Sequence, residues 1–319
     1  MTDNTKTPLI SVVLCTYNPR EDFLGRVFDG LKDQTLSKDL WELVVVDNNS
    51  TRPLSSTTGP QDDKATAIDL SWHPDARIVV ETQQGLSHAR RRGFEEATGD
   101  LIVNLDDDAV LDSDYLKQVV RLAEQFPLIG VFGCALRAEF EVPARWPTDE
   151  YYAAQRVVPQ AVWSNDPLHH LSNPWGAGSV VRRPVARAYV QRLADDCRYA
   201  QIGRTAERLL ACEDDDIAMT ACEVGFGKGV FPSLCFTHLI KASHMTEDFL
   251  CRNARGHAYS GTVLEFLRFG RRPVNPTVRA RLNRAYRLAC MKSRRRRQEL
   301  ARDQGVKEAF QDMKRWGWL

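Results

Sequence analysis

Three consecutive carboxylates, Asp106-Asp107-Asp108, end an apolar run at residues 101–105. Adjacent negative charges repel one another, so such a turn needs compensation. Water supplies it if the turn is exposed. A hard divalent cation supplies it otherwise, because Mg2+ and Mn2+ take oxygen ligands and often accept only one or two carboxylates beside substrate phosphates. A second acidic run, Glu213-Asp214-Asp215-Asp216, precedes Ile217, Ala218 and Met219, which read as helix. Acids in a first helical turn complement the macrodipole. The same run could instead carry a general base, since a hydroxyl attacks poorly until a placed carboxylate takes its proton. His238 follows a strand-like stretch at 229–236 and is a candidate metal or diphosphate contact, with His244 a weaker one. The plainer reading of either is a packed or surface histidine.

The elements that must position these groups are legible as alternating patterns. Residues 9–15, 41–46, 77–81 and 101–105 are short apolar runs rich in β-branched side chains, as buried strands require. Between them, 21–33 carries Phe23, Leu24, Val27, Phe28 and Leu31 at helical spacing. Residues 86–97 read as a helix stopped by Gly99, and 115–126 as a helix capped by Asp112 or Ser113. Strands alternating with helices predict a mostly parallel sheet covered on both faces. The polar turns at Thr16, Asp47 and Asp106 each follow a strand directly. In a parallel arrangement all three share one edge, where such sheets bind ligands. Residues 135–174 look irregular and hold Trp146, Tyr151, Tyr152 and Trp163, with Trp175 just beyond. Aromatic faces suit sugar rings, although most such residues serve as loop or core anchors.

Six segments taken in order resemble family 2 glycosyltransferases of the GT-A fold. They are Ile10-Ser11-Val12-Val13 with Thr16-Tyr17-Asn18; Val44-Val45-Val46-Asp47-Asn48-Asn49-Ser50; and Gly85-Leu86-Ser87 with Ala89-Arg90 and Gly93. The others are Gly99-Asp100-Leu101-Ile102 leading to Leu105-Asp106-Asp107-Asp108, which is similar to a DxD motif; Asn173-Pro174-Trp175-Gly176-Ala177-Gly178; and Cys212-Glu213-Asp214-Asp215-Asp216-Ile217 with Gly225 and Phe231-Pro232. The resemblance covers about residues 9 to 260. It implies an α/β, Rossmann-like mixed sheet with helices on both faces. It also implies transfer of a single sugar from a nucleotide-sugar, with Mn2+ or Mg2+ as cofactor and inversion at the anomeric carbon. Thr16, Tyr17, Asn18, Asp47, Arg90, Asp106 and Asp107 would bind the nucleotide. Asp108 and Asp106, with His238, would hold the metal. Asp214 would be the general base supported by Glu213, and Trp175 and Gly176 would face the acceptor. UDP is the favoured nucleotide as the family's commonest. Arg91 stands where the family usually has Asn, and Gln311 with Arg315-Trp316 does not match the spacing of processive members.

The implied layout is a GT-A domain over 1–265, with a nucleotide half at about 9–130 and an acceptor half at about 131–265, followed by a basic helical extension over 266–319. The acceptor would be a glycan, a lipid-linked saccharide or a small molecule. The 319 residues carry a net charge of only +1, yet residues 268–297 hold twelve Lys/Arg and no acid. Within that stretch, 278–297 mixes Leu282, Tyr286, Leu288 and Met291 with arginines, a pattern suited to peripheral membrane contact, to packing on the domain or to binding phosphate. No nucleic-acid recognition module accompanies the charge. Residues 1–8 lack the apolar core of a signal peptide, which predicts a cytoplasmic chain, peripheral at most on the inner membrane face. The eight cysteines form no CxxC pair and read as reduced. A GT-A-like nucleotidyltransferase would want a Gly-rich basic loop where Thr16-Tyr17-Asn18-Pro19 stands, and a non-catalytic binding subunit would have no need of both acidic motifs.

Overall fold

The computed structural model describes residues 7–56, 65–147, 151, 155–205, 208–272 and 277–319. Tyr152 and most of the polar segment 51–64 fall outside them. The centre of the sheet is made by β1 (Ile10–Thr16) and β2 (Trp41–Asp47), in which every residue is buried. Runs such as Leu43-Val44-Val45-Val46 have no polar face to offer water, so both sides of the sheet must be covered. α1 (Glu21–Lys32) supplies part of that cover with the predicted face Phe23, Leu24, Val27, Phe28 and Leu31. Short strands β3 (Leu54–Ser56) and β4 (Thr66–Ile68) pair with each other away from the main sheet.

β5 (Ala76–Val80) is followed by α2 (Leu86–Glu96), β6 (Leu101–Asp106), β7 (Ala109–Leu111), α3 (Tyr115–Gln125) and β8 (Ile129–Phe140). Then come β9 (Val162–Ser164), β10 (Val180–Arg182), α4 (Arg183–Asp195), α5 (Glu213–Glu223) and β11 (Gly227–Ile240). Among the described residues the main sheet runs β5-β2-β1-β6-β10-β8-β11-β7, with β9 on β11. It is parallel from β5 to β6 and mixed beyond, because β10 pairs antiparallel with both β6 and β8. One apolar cluster under α1 and α3 and another under α2, α4 and α5 fill its two faces.

The register places the three polar turns together. Thr16 stands beside Asp47 and Cys15 beside Asp106 on parallel neighbours, so all three turns leave one edge. Gly99 has another task than the one expected. α2 ends at Glu96, where Ala97 turns to an extended conformation at φ −62° and ψ 134° without a left-handed residue. A Cβ on Gly99 would lie 2.7 Å from the Ile10 carbonyl carbon, so glycine is required by the approach to β1. The cap of α3 is Asp114, without a side-chain bond. Asp112 accepts the Tyr115 N–H through its backbone oxygen and gives its carboxylate to Arg137. The stretch from 135 is also less irregular than its composition suggests, since β8 continues to Phe140 alongside β11.

Three more helices follow: α6 (Glu247–Phe269), α7 (Val278–Cys290) and α8 (Ser293–Arg315). The basic stretch 278–297 therefore breaks at Met291–Lys292 rather than forming one helix. α8 packs against α6, where a Cβ on Gly305 would collide with the Arg255 carbonyl oxygen. No described helix is long and apolar enough to cross a membrane.

Candidate active site

A cleft of about 980 Å³ opens at the shared edge, bounded by the first turn of α5 and the first half of α6. On the β1–β2 side of the cleft the strand ends are stitched together. The Thr16 hydroxyl donates to Asp107 Oδ2 at 2.5 Å. Asn18, in the left-handed region at φ 48°, accepts the Thr51 N–H at 2.8 Å, and its own N–H donates to Ser50 Oγ at 2.9 Å. Asp47 lies beneath that loop, with Oδ1 accepting from the Ser50 N–H and Oδ2 from the Leu54 N–H, each at 2.9 Å. Its neighbour Asn48 lines the cleft instead. Asn48 accepts the Gly85 N–H at 2.7 Å and donates to the Gln83 carbonyl at 2.7 Å, which ties the β2 turn to the start of α2.

Arg90 is the electrostatic centre. It is 1 % exposed, donates to Glu213 Oε1 at 2.7 Å and stands 3.6 Å from Asp106 Oδ1. One guanidinium thus joins the two acidic runs, with Glu213 lying 123 residues beyond Arg90 in the sequence. Burial opposes its charge, but Glu213, Asp106 and Asp214 together hold its pKa above the ordinary value. Burial pushes Glu213 up to about 7 despite the arginine, with Asp214 adding to the rise. Gly176 must be glycine here, because a Cβ would sit 2.5 Å from Arg90 Nη2.

The acidic run of α5 divides by helical geometry. Cys212 precedes it in the left-handed conformation, φ 81°, and swings the chain so that the helix begins at the cleft wall. Asp214 Oδ2 accepts the Gly176 N–H at 2.9 Å, and Asp215 accepts from Asn173 Nδ2 at 2.5 Å. Asn173 is held from behind by the ammonium of Lys228, which also donates to the Pro167 carbonyl at 2.8 Å. Asp216 turns the other way into an ion pair with Arg268 and takes no part in the cleft. Trp175 lines the cleft with Gly176, and the Arg156 guanidinium lies 5.0 Å over its ring. Tyr151 also lines it, whereas Trp163 is 61 % exposed and lies outside.

At the floor, His238 Nε2 is 3.7 Å from Asp108 Oδ2. The antiparallel pairing of β7 with β11 sets His238 opposite Ala109, one residue after the aspartate run. Burial raises Asp106, against the pull of Arg90. Burial and the neighbouring Asp108 push Asp107 up to about 7. For Asp108 burial is outweighed by His238 and Lys241, and its carboxyl is held below the usual range. Burial, with Lys241 nearby, lowers His244 to about 4, and its ring stacks on Phe249. No group of three His, Cys, Asp or Glu in metal-binding array occurs among the described residues. The residues present nevertheless fit a hard divalent cation. Asp106, Asp107 and Asp108 line the cleft side by side and supply the carboxylate oxygens that such an ion takes beside phosphates.

Several cleft residues carry no motif in the sequence. Arg204, Lys241, Asn253 and His257 all line the cleft. Asn253 and His257 are four apart on α6, a spacing that puts polar groups on one helical face, and this was the available signal. Lys228 gave none, since a lysine in a strand ordinarily faces water.

The family model described as "Glycosyl transferase family 2" matches residues 11–190. The "Putative glycosyltransferase EpsH" of Bacillus subtilis is 26% identical over 136 residues, 43% of this chain and 36% of that protein. The "Glucosyl-dolichyl phosphate glucuronosyltransferase" of Haloferax volcanii is 29% identical over 119 residues, 37% of this chain and 35% of that protein. The alignments therefore span about a third of the length of those relatives. Among solved structures, the mannosyltransferase PcManGT from Pyrobaculum calidifontis, in complex with GDP-Man and Mn2+, superposes with a TM-score of 0.54 at 19% identity, covering 98% of this chain and 88% of that one. That likeness is one of fold. With more than half its length matched by the family model, and its strand edge, acidic turns and cleft assembled as described, the chain belongs to glycosyl transferase family 2.

Proposed function

We propose that the chain transfers one sugar from a nucleotide-sugar, a UDP-sugar in the first instance, to a hydroxyl of a glycan, lipid-linked or small-molecule acceptor, with inversion at the anomeric carbon. The observation that carries this reading is the convergence of Asp106–Asp108 and Glu213-Asp214 on one cleft, where Arg90 joins Asp106 to Glu213. Thr16, Tyr17, Asn18 and Asn48 line the side assigned to the nucleotide. Asp47 shapes that side from beneath by holding its loop, and Asp107 does so through Thr16. Trp175 and Gly176 belong to the acceptor side. Residues 1–265 would form the catalytic unit and 266–319 an extension. A cytoplasmic site of action is part of the proposal.

Asp106 and Asp108, with His238 beside them, would hold Mn2+ or Mg2+, whose positive charge offsets the charge gathering on the departing diphosphate. The rest is done by side chains. Asp214 is held by the Gly176 N–H on one oxygen and presents its carboxylate to the cleft. It takes the proton of the acceptor hydroxyl as that oxygen bonds to the anomeric carbon. The bond from that carbon to the diphosphate oxygen breaks in the same step, and its electron pair leaves with the nucleotide. Single displacement inverts the configuration. Glu213 and Arg90 fix the start of α5 and hence the direction of Asp214.

Asp108→Ala tests the metal assignment without disturbing the fold, since the Asp108 backbone oxygen that accepts the Leu239 N–H is retained. Donor affinity measured by calorimetry in Mn2+ should fall at least about tenfold, towards the value without metal. Equal affinity of parent and variant, with and without Mn2+, would remove Asp108 from that role. Product stereochemistry, read by the anomeric coupling in NMR, tests inversion: retention would overturn the single displacement.

A further inference from the structure

α7 has no buried residue. At about 3.6 residues per turn, Val278, Leu282 and Tyr286 fall on one stripe together with Ala285 and Ala289. Val278 is 74% exposed, Leu282 65% and Tyr286 72%. Arg279 borders the stripe on one side and Arg281 on the other. α8 does not cover it, because α7 meets α8 through Arg284, which pairs with Glu299 at 2.7 Å and Asp303 at 3.0 Å, on a different face. A helix of this length is marginal in water without a partner for its apolar side.

We propose that α7 lies in the interfacial plane of an anionic lipid surface, with Val278, Leu282 and Tyr286 in the acyl boundary and the flanking arginines on the headgroups. Charge decides the occupant. α7 holds four arginines and no acid, and of these Arg284 is neutralised by Glu299 and Asp303, so a second copy would bring the arginines beside the stripe against their like, whereas an anionic leaflet complements them. The apolar stripe between the arginines is of no use to a nucleic acid, which would need charge alone.

The position of α7 links this surface to the cleft. The chain turns from α7 into α8 at Met291–Lys292, and in the first turn of α8 the Arg294 guanidinium lies 4.4 Å over the Trp146 ring. Trp146 in turn packs on Tyr151, which lines the cleft. Arg297 pairs with Glu247 at 2.7 Å beside it. A surface under α7 would thus bring the cleft close to headgroup level, where a lipid-linked acceptor presents its saccharide.

The test is sedimentation of the full chain with vesicles of phosphatidylcholine, with and without phosphatidylglycerol. The chain should partition onto the anionic vesicles, and salt should weaken the binding. Leu282→Glu with Tyr286→Glu, and separately Arg279→Glu with Arg281→Glu, should each lower the partition at least about tenfold. All four side chains are exposed, so melting temperature and donor binding should stay at the parent's values. Equal binding to neutral and anionic vesicles, no binding of the parent, or undiminished binding of both double variants would overturn the proposal. So would self-association that Leu282→Glu with Tyr286→Glu abolishes in a parent that ignores vesicles. The inference does not depend on the transfer chemistry: vesicle binding by a chain that transfers no sugar would sink the proposed function alone.

Discussion

Asp214→Asn should yield a folded protein that binds donor as the parent does and transfers sugar about a thousandfold more slowly. The amide oxygen that this substitution introduces can still accept the Gly176 N–H, so the junction between the 173–178 segment and α5 survives. What the substitution removes is the capacity to take a proton. The neighbour Asp215 does not replace it, because that carboxylate already accepts the Asn173 amide at 2.5 Å and is pushed up to about 6 by burial and by Asp214. The split between binding and turnover is the informative part. Loss of donor affinity in step with rate would place Asp214 on the donor side instead of the acceptor hydroxyl.

Arg90→Met should destabilise the protein by about 3–5 kcal/mol, because it leaves the buried Glu213 carboxylate without its cation and with Asp106 on the other side of the gap. For a chain of this size that is a fall of roughly 5–10 °C in melting temperature. Activity should be lost as well, since the start of α5 would no longer be held at the cleft wall. Adding Glu213→Gln to Arg90→Met removes the uncompensated charge, and part of the stability should return while transfer stays abolished. A melting temperature unchanged by Arg90→Met would show that the guanidinium is not what reconciles the two acidic runs.

The reason Arg90 could be singled out from the sequence at all was its place in a run that resembles the family's; its partners are a matter of tertiary structure. The strand edge was legible because β1, β2 and β6 are buried on both faces, and a sequence with no polar alternation leaves little choice. The polar turns followed from parallel geometry alone. The second half of the sheet was harder. β8 runs through Leu136-Arg137-Ala138-Glu139-Phe140, where one face meets water and the apolar content drops, so composition alone predicts irregular chain there. β10 contributes only three residues, too few for any pattern, yet it sets the antiparallel join between the two parallel groups.

Contacts between distant side chains explain the remaining differences. Gly99 resembled a helix stop because glycine commonly ends helices, while its actual constraint is the backbone of β1. Asp216 belongs to an unbroken acidic run but faces Arg268 from α6, and Lys228 is buried in a strand only because Asn173 and the Pro167 carbonyl receive its charge. The helix break after Cys290 has neither proline nor glycine to announce it. Beyond the break α8 is held on α6 by contacts between distant residues, Gly305 against the Arg255 carbonyl and Glu308 with the Arg255 guanidinium.

The central claim is that the cleft takes a nucleotide-sugar through its diphosphate with the help of a divalent cation. The most direct measurement is a thermal-shift panel of UDP, GDP, dTDP and CMP on the parent chain, with and without Mn2+. A ligand that binds only the folded state raises its apparent stability by mass action. One nucleoside diphosphate should raise the melting temperature in Mn2+ and not in its absence, and CMP should do so less. A folded protein whose melting temperature moves with none of the four, with or without metal, would contradict the account.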